Sequence, residues 1–137
     1  MTPQALAETH AAAFTQSRPW TAEEFATLLD NRFTHVTGSA ECFALFQVIA
    51  DEAELLTIAT HPRVQRQGLA QRCMVDWHSK ALDSGATRAV LDVAADNHPA
   101  IALYEGCGYT PCGWRKNYYL RENSQKIDAI VMERNLI

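Results

Sequence analysis

Gln65-Arg66-Gln67-Gly68-Leu69-Ala70 lies between an extended apolar run and a strongly amphipathic stretch. Read as Gln-x-x-Gly-x-Ala at a helix start, it aims backbone N–H groups and the positive end of a helix dipole at one point. Arg63 and Arg66 bring two cations to the same place. The fitting occupant is a phosphate or pyrophosphate. Further along stands a second constellation, Asn97-x-x-Ala100-x-x-x-Tyr104-x-x-x-Gly108-Tyr109. Before it, Asp92 interrupts an apolar run and points opposite to Leu91 and Val93, the position for a carboxylate that takes a proton.

Other chemistries fit poorly. Neither Gly-x-Gly-x-x-Gly nor Gly-Lys-Ser/Thr occurs, so a dinucleotide unit or a P-loop is disfavoured. Cys42, Cys73, Cys107 and Cys112 show no Cys-x-x-Cys spacing, and the five histidines form no His-x-x-x-His pair. No metal site is expected on that spacing. Disulfides are not expected in a reducing compartment. Cys73 falls on the apolar stripe of a helix, where a thiol serves as a small hydrophobe.

These residues need a scaffold, and periodicity supplies one. An alanine-rich helix is expected over residues 4–14, with Leu6, Ala13 and Phe14 on one side. Thr21 and Glu24 form a capping box, and Trp20 and Phe25 a hydrophobic staple, for a second helix carrying Leu28 and Leu29 inward. A short strand covers residues 33–37, ending at Gly38-Ser39. Strands Phe43–Ala50 and Glu54–Ala59 follow, with Asp51-Glu52-Ala53 as the hairpin turn, and His61-Pro62 ends the second. After Gly68, a helix carries Leu69, Cys73, Met74, Trp77, Ala81 and Leu82 at near-helical spacing and stops at Gly85. Arg88–Ala94 reads as a buried strand. Asn97 then caps a helix with Pro99 in its first turn and Gly108 at its end. Residues 112–119 and 127–133 form a last pair of strands joined by Arg121–Lys126. The result is a single domain over 1–137, an α/β mixed sheet with helices on its faces.

Composition agrees. Of 137 residues, 47% are hydrophobic and 20% charged, the balance of a globular domain. No apolar run approaches the roughly 20 residues of a membrane span, and no basic-then-apolar leader opens the chain, so a cytoplasmic setting without membrane association is expected. The net charge of −4 disfavours direct nucleic-acid binding. Asp51, Glu52 and Glu54 make a basic peptide a better partner than a polyanion, although the plainer reading is a solvated hairpin turn.

The combination of Gln65-x-x-Gly68-x-Ala70, Asn97 with Tyr104, and Gly108-Tyr109 resembles the GNAT superfamily of acetyl-CoA-dependent N-acetyltransferases, from about Phe43 to Met132. Asp92-Val93-Ala94-Ala95-Asp96-Asn97, Ala100-Ile101-Ala102-Leu103-Tyr104-Glu105, Arg115-Lys116-Asn117-Tyr118-Tyr119 and Asp128-Ala129-Ile130-Val131-Met132 resemble its RimI branch. That branch acetylates the N-terminal alanine of a small-subunit ribosomal protein. The resemblance implies a GNAT fold, a mostly antiparallel mixed sheet flanked by helices. It implies acetyl-CoA as cosubstrate, no metal, and a protein partner with a free N-terminus, the enzyme itself a monomer or weak homodimer.

Roles follow residue by residue. The backbone of Arg66, Gln67, Gly68, Leu69, Ala70 and Gln71 would wrap the pyrophosphate. Ile58, Ala59 and Thr60 would pair with the peptide-like pantetheine arm and polarise the thioester carbonyl. Asn97 would hydrogen-bond the pantetheine as well as cap its helix. Asp92 stands where the family has a glutamate proton acceptor, and its shorter side chain favours a bridging water. Tyr104 stands where the family has the proton donor for the departing thiolate. Reference values of about 10 for tyrosine and 8.5 for a thiol make that donation uphill by roughly 2 kcal/mol, so it needs a lowered tyrosine pKa or coupling to sulfur departure. Tyr118 and Tyr119 would frame the peptide entrance.

Two departures stand out. The family's first strand, before the first helix, is missing from the expected elements, which leaves a sheet edge for a partner to cover. Asn123-Ser124-Gln125-Lys126-Ile127 replaces the glycine and Glu-Asp-Ala sequence usual before Asp128-Ala129. Two other functions remain open: acetylation of another amine (a lysine, a polyamine or a small molecule), and a non-catalytic acyl-CoA-binding module.

Overall fold

The computed structural model describes residues 1–15 and 18–137. Its elements run α1 (Pro3–Ala13), α2 (Ala22–Leu29), β1 (Thr34–Ser39), β2 (Cys42–Ile49), β3 (Glu52–Thr60), a 3-10 turn (Pro62–Val64), α3 (Leu69–Asp83), β4 (Arg88–Ala94), α4 (His98–Gly106), β5 (Thr110–Leu120) and β6 (Lys126–Asn135). This is the order expected from periodicity. The strands form one six-stranded sheet ordered β1-β2-β3-β4-β6-β5, with β1 and β5 at its edges. Only β3 and β4 run parallel; every other neighbour is antiparallel. No helix among the described residues is long and apolar enough to cross a membrane.

Each sheet face buries its own core. Ala44, Phe46, Val48, Ala53, Leu55, Leu91 and Met132 pack with Cys73, Met74, Trp77 and Ala81 of α3 and Tyr104 of α4. Phe43, Leu45 and Ala59 pack on the other face with Leu6 of α1 and Phe25 of α2. The α2 start is built as expected: Thr21 Oγ1 accepts from Glu24 N at 3.2 Å and Glu24 Oε1 from Thr21 N at 3.1 Å. The Trp20 and Phe25 rings lie 5.5 Å apart. His10 stacks between Phe14 and Trp20 and accepts the Trp20 backbone N–H at 3.1 Å. Burial lowers its pKa to about 4, against the opposing pull of Glu24.

Two details depart from expectation. The β2–β3 turn is Ala50-Asp51, since Ile49 faces Glu52 and Ala50 adopts φ 55°; Glu52 and Ala53 therefore belong to β3. A two-residue hairpin needs positive φ to match the twist of its strands. Leu82 lies at the rim of the α3 stripe and is 39% exposed, outside the core. At β1, Gly38 has φ 101° and a Cβ there would meet the Cys42 carbonyl at 2.3 Å, so no other residue fits that bend.

One irregularity shapes the sheet. Leu45 faces Thr57 while the adjacent Phe46 faces Leu55, so Leu56 is an extra residue, a β-bulge. Beside it the parallel pairing of β3 with β4 ends at Leu55–Leu91. Beyond that pair β3 continues to Thr60 against β2 and β4 to Ala94 against β6 without pairing to each other, and a cleft opens between them.

Candidate functional site

The cleft is walled by the two strand ends that carry the expected residues. His61 N donates to Glu41 O at 2.7 Å, which fixes the alternation of the β2–β3 ladder. Residues alternate between bonded and non-bonded pairs in an antiparallel ladder, so Ile58 and Thr60 turn their backbone groups away from β2, toward the cleft. Thr60 O accordingly accepts from Gln65 Nε2 at 3.2 Å, tying the strand end to the loop before α3. Ala59 belongs to the buried set beside α1 and α2, with its backbone on the β2 side.

The loop is an open concavity. Arg66 (φ 64°) and Gly68 (φ 75°) both adopt left-handed conformations, and residues 65–68 are exposed. Such turns orient successive N–H groups inward as an anion nest. Gly68 is the N-cap of α3 and supplies no capping side chain, and the first backbone bond of the helix is Arg72 N to Gly68 O at 3.2 Å. The N–H groups ahead of Arg72, on Leu69, Ala70 and Gln71, therefore face the concavity unused by the helix. A Cβ on Gly68 would meet nothing within 4 Å, so the space above it is open. These residues fit a pyrophosphate. Arg63 does not join them: its Nε lies 2.6 Å from Glu41 Oε2.

At the far wall, Asp92 is partly exposed and receives Arg115 Nε on Oδ1 at 3.3 Å. Arg115 also lies over the Tyr118 ring, 5.5 Å from its centre. Tyr119 packs edge-on against Tyr118 at 5.0 Å; its phenol is pushed up to about 12, chiefly by burial and then by the charge of Asp92. Tyr104 is buried at the α4 side, and burial followed by the neighbouring Tyr119 raises its pKa well above the tyrosine range. Asp92, Tyr119 and Tyr104 thus form a chain of electrostatic neighbours across the cleft. The lowered-pKa route for Tyr104 is closed, because nothing cationic offsets its desolvation.

The β5–β6 hairpin is braced onto this wall. Arg121 Nη2 lies 2.5 Å from Asp96 Oδ1, and Asn117 N donates to Asp128 Oδ1 at 2.9 Å at a β5 irregularity where Asn117 adopts φ 52°. Asn97 Oδ1 accepts from Ala100 N at 3.3 Å, which leaves its amide N–H groups facing solvent. Sequence reading omitted Arg115 and Glu54 from the site. Glu54 reads there as the first residue of a strand beside an acidic turn, and the contact of Arg115 with Asp92 exists only because β6, paired with both strands, brings β5 within side-chain reach of β4. Among the described residues, no group of three His, Cys, Asp or Glu side chains could hold a metal ion.

Comparison with known proteins points the same way. A model of the acetyltransferase (GNAT) family matches residues 3–109. The chain is 36% identical over 118 residues to the ribosomal protein bS18-alanine N-acetyltransferase of Escherichia coli (strain K12), covering 83% of this chain and 79% of that protein. The crystal structure of the ribosomal-protein-S18-alanine N-acetyltransferase from Escherichia coli superposes with a TM-score of 0.86 at 31% identity, covering 98% and 87% of the two chains. The fold also matches Arabidopsis thaliana NAA60 in complex with acetyl-CoA, with a TM-score of 0.81 at 15% identity over 98% and 95% of the chains.

Proposed function

Because the chain belongs to the GNAT acetyltransferase family, we propose that it transfers the acetyl group of acetyl-CoA to the N-terminal amine of a protein, and that its acceptor is the N-terminal alanine of a small-subunit ribosomal protein. The observation that carries this reading is the cleft itself, open from Leu55–Leu91 onward and tied at the end of β3 to the loop before α3 by the Gln65–Thr60 hydrogen bond. The acceptor is inferred from the likeness to the bS18-alanine N-acetyltransferase of E. coli. A ribosomal acceptor supports a cytoplasmic setting.

The residues divide the work. The N–H groups around Gly68 bind the pyrophosphate, and the cleft-facing backbone of Ile58 and Thr60 lines the pantetheine arm, with the Asn97 amide available to it. Backbone donors fixed in this way stabilise negative charge on the thioester oxygen without reorganising. An N-terminal amine has a reference pKa of about 7.7–8.0, so part of it is neutral near pH 7. Asp92 takes a proton from the attacking nitrogen, directly or through water. Tyr104 stays protonated across the working range because its pKa is raised. Its proton passes to the leaving sulfur only as the C–S bond breaks and the sulfur becomes basic. Tyr118 and Tyr119 flank the path of the peptide.

The test is acetyl transfer from labelled acetyl-CoA to peptides differing only in their first residue. Transfer to the alanine peptide ahead of the others supports the reading. Transfer to lysine side chains or polyamines alone would replace the acceptor, and binding of acetyl-CoA without any transfer would replace the activity.

A further inference from the structure

Glu54 and Asp92 occupy one face of the sheet at the lip of the cleft. Ala53 and Leu55 are buried on the α3 side, so Glu54 between them projects to the opposite face. Leu91 and Val93 are buried on the α3 side as well, which sends Asp92 the same way as Glu54. Glu54 faces Val90 across the parallel pair, and Asp92 is the next residue of that face toward the cleft. The neighbouring Glu52 is paired with Arg88, 2.5 Å away. Glu54 has no ion pair among the described residues, while Arg115 is committed to Asp92. The lip of the cleft therefore holds two carboxylates and one guanidinium, a net negative charge.

We propose that Glu54 is the second carboxylate of the acceptor site, binding the incoming α-ammonium beside Asp92 and taking the first of its two protons. This rests on the N-terminal acetyltransferase reading and supplies its missing step, since an ammonium has no lone pair with which to attack. One N–H bond of the ammonium breaks and its proton moves to Glu54, leaving a neutral amine and a carboxylic acid. The amine lone pair then forms the C–N bond as the C–S bond breaks. The second nitrogen proton goes to Asp92, and the sulfur receives one from Tyr104. Glu54 and Asp92 return their protons, one recharging Tyr104 and the other going to solvent, so one proton is released per acetyl transferred.

The surroundings favour that assignment. The Glu54 carboxyl sits above its ordinary range, first because it is partly desolvated, then because Asp92 and Glu52 carry like charge, with Arg115 opposing. Across β2 the facing residue is the uncharged Gln47, and from β4 the nearest cation, Arg88, is held by Glu52 and Glu133. A carboxyl shifted upward lies closer to the ammonium in proton affinity and is the better acceptor.

The experiment compares kcat/KM against pH for the full chain and its Glu54→Gln and Glu54→Asp variants, with an alanine-initiated peptide and acetyl-CoA. Glu54→Gln should lose about 10- to 100-fold near pH 6.5 and recover to within about 3-fold of the parent near pH 9, where the amine is already neutral. Glu54→Asp should fall between, and acetyl-CoA affinity by calorimetry should be unchanged in both. A Glu54→Gln deficit that is constant across pH, or absent, overturns the proposal. If the parent acetylates lysine amines instead, the N-terminal reading fails, and the deficit followed up to about pH 11, where that amine is neutral, still decides for or against Glu54. Transfer to no amine at all sinks both.

Discussion

Asp92 carries its charge between two buried hydrophobic residues and beside a single cation, Arg115. Replacing Asp92 with Asn should lower kcat by about 100-fold or more while acetyl-CoA affinity stays within about 2-fold, as single-turnover kinetics and calorimetry would read. Arg115→Gln should act differently. Without the guanidinium, Glu54 loses the one charge that opposes its upward shift and holds its proton more tightly, so the acid limb of kcat/KM moves to higher pH. A limb that stays put would mean that Arg115 serves only the hairpin. Asp92 and Tyr104 could be picked from the sequence as candidates, since a carboxylate in an apolar strand and a tyrosine two helical turns after a capping asparagine are local patterns. Arg115 and Glu54 could not, because their roles arise from strands brought together across the sheet.

The loop before α3 and the start of α2 make contrasting tests. Gly68 holds φ 75° in open space, so alanine there clashes with nothing and meets only the left-handed penalty of about 1–2 kcal/mol. Gly68→Ala should therefore weaken acetyl-CoA binding by roughly 10-fold through a distorted nest and lower the melting temperature by a few degrees. Thr21→Ala removes a helix cap instead and should cost about 1 kcal/mol of unfolding free energy in urea, leaving acetyl-CoA affinity as it was. Both features were readable beforehand, because capping boxes and glycine-led helix starts are contiguous signals. The β2–β3 turn was misplaced for the converse reason: Ala50 carries no mark of a positive φ, and Glu52 and Ala53 alternate well enough to pass for either turn or strand.

The element order and the mixed sheet followed from periodicity, but the separation of β3 from β4 has no local signature and emerges only from the assembled pairing. Stability of the assembly should depend on two buried imidazoles. His78 Nδ1 accepts from Arg134 Nη1 at 3.2 Å, so its proton sits on Nε2 and is donated to Tyr109 Oη at 2.6 Å. Burial lowers His78, like His10, from 6.5 to about 4. Both folded values lie below the unfolded one, so the unfolded chain binds protons first. The stabilisation is complete above about pH 6.5, erodes as pH falls toward about 4, and levels off below. Melting temperatures across that interval should show the decline, and His78→Gln should flatten it while lowering the whole curve. Leu56 gives the chain a last lever. Excising it would leave Leu55 and Ile58 on the faces they already occupy and let Thr57 follow Leu55 in an unbroken ladder with β2. The straightened strand would lie flat along its parallel neighbour, sealing the slot proposed for the coenzyme. Such a shortened protein should stay folded, losing only what Leu56 contributes to the core beneath α1 and α2, and yet take up no acetyl-CoA, so that one leucine holds a vacancy open as well as filling a space.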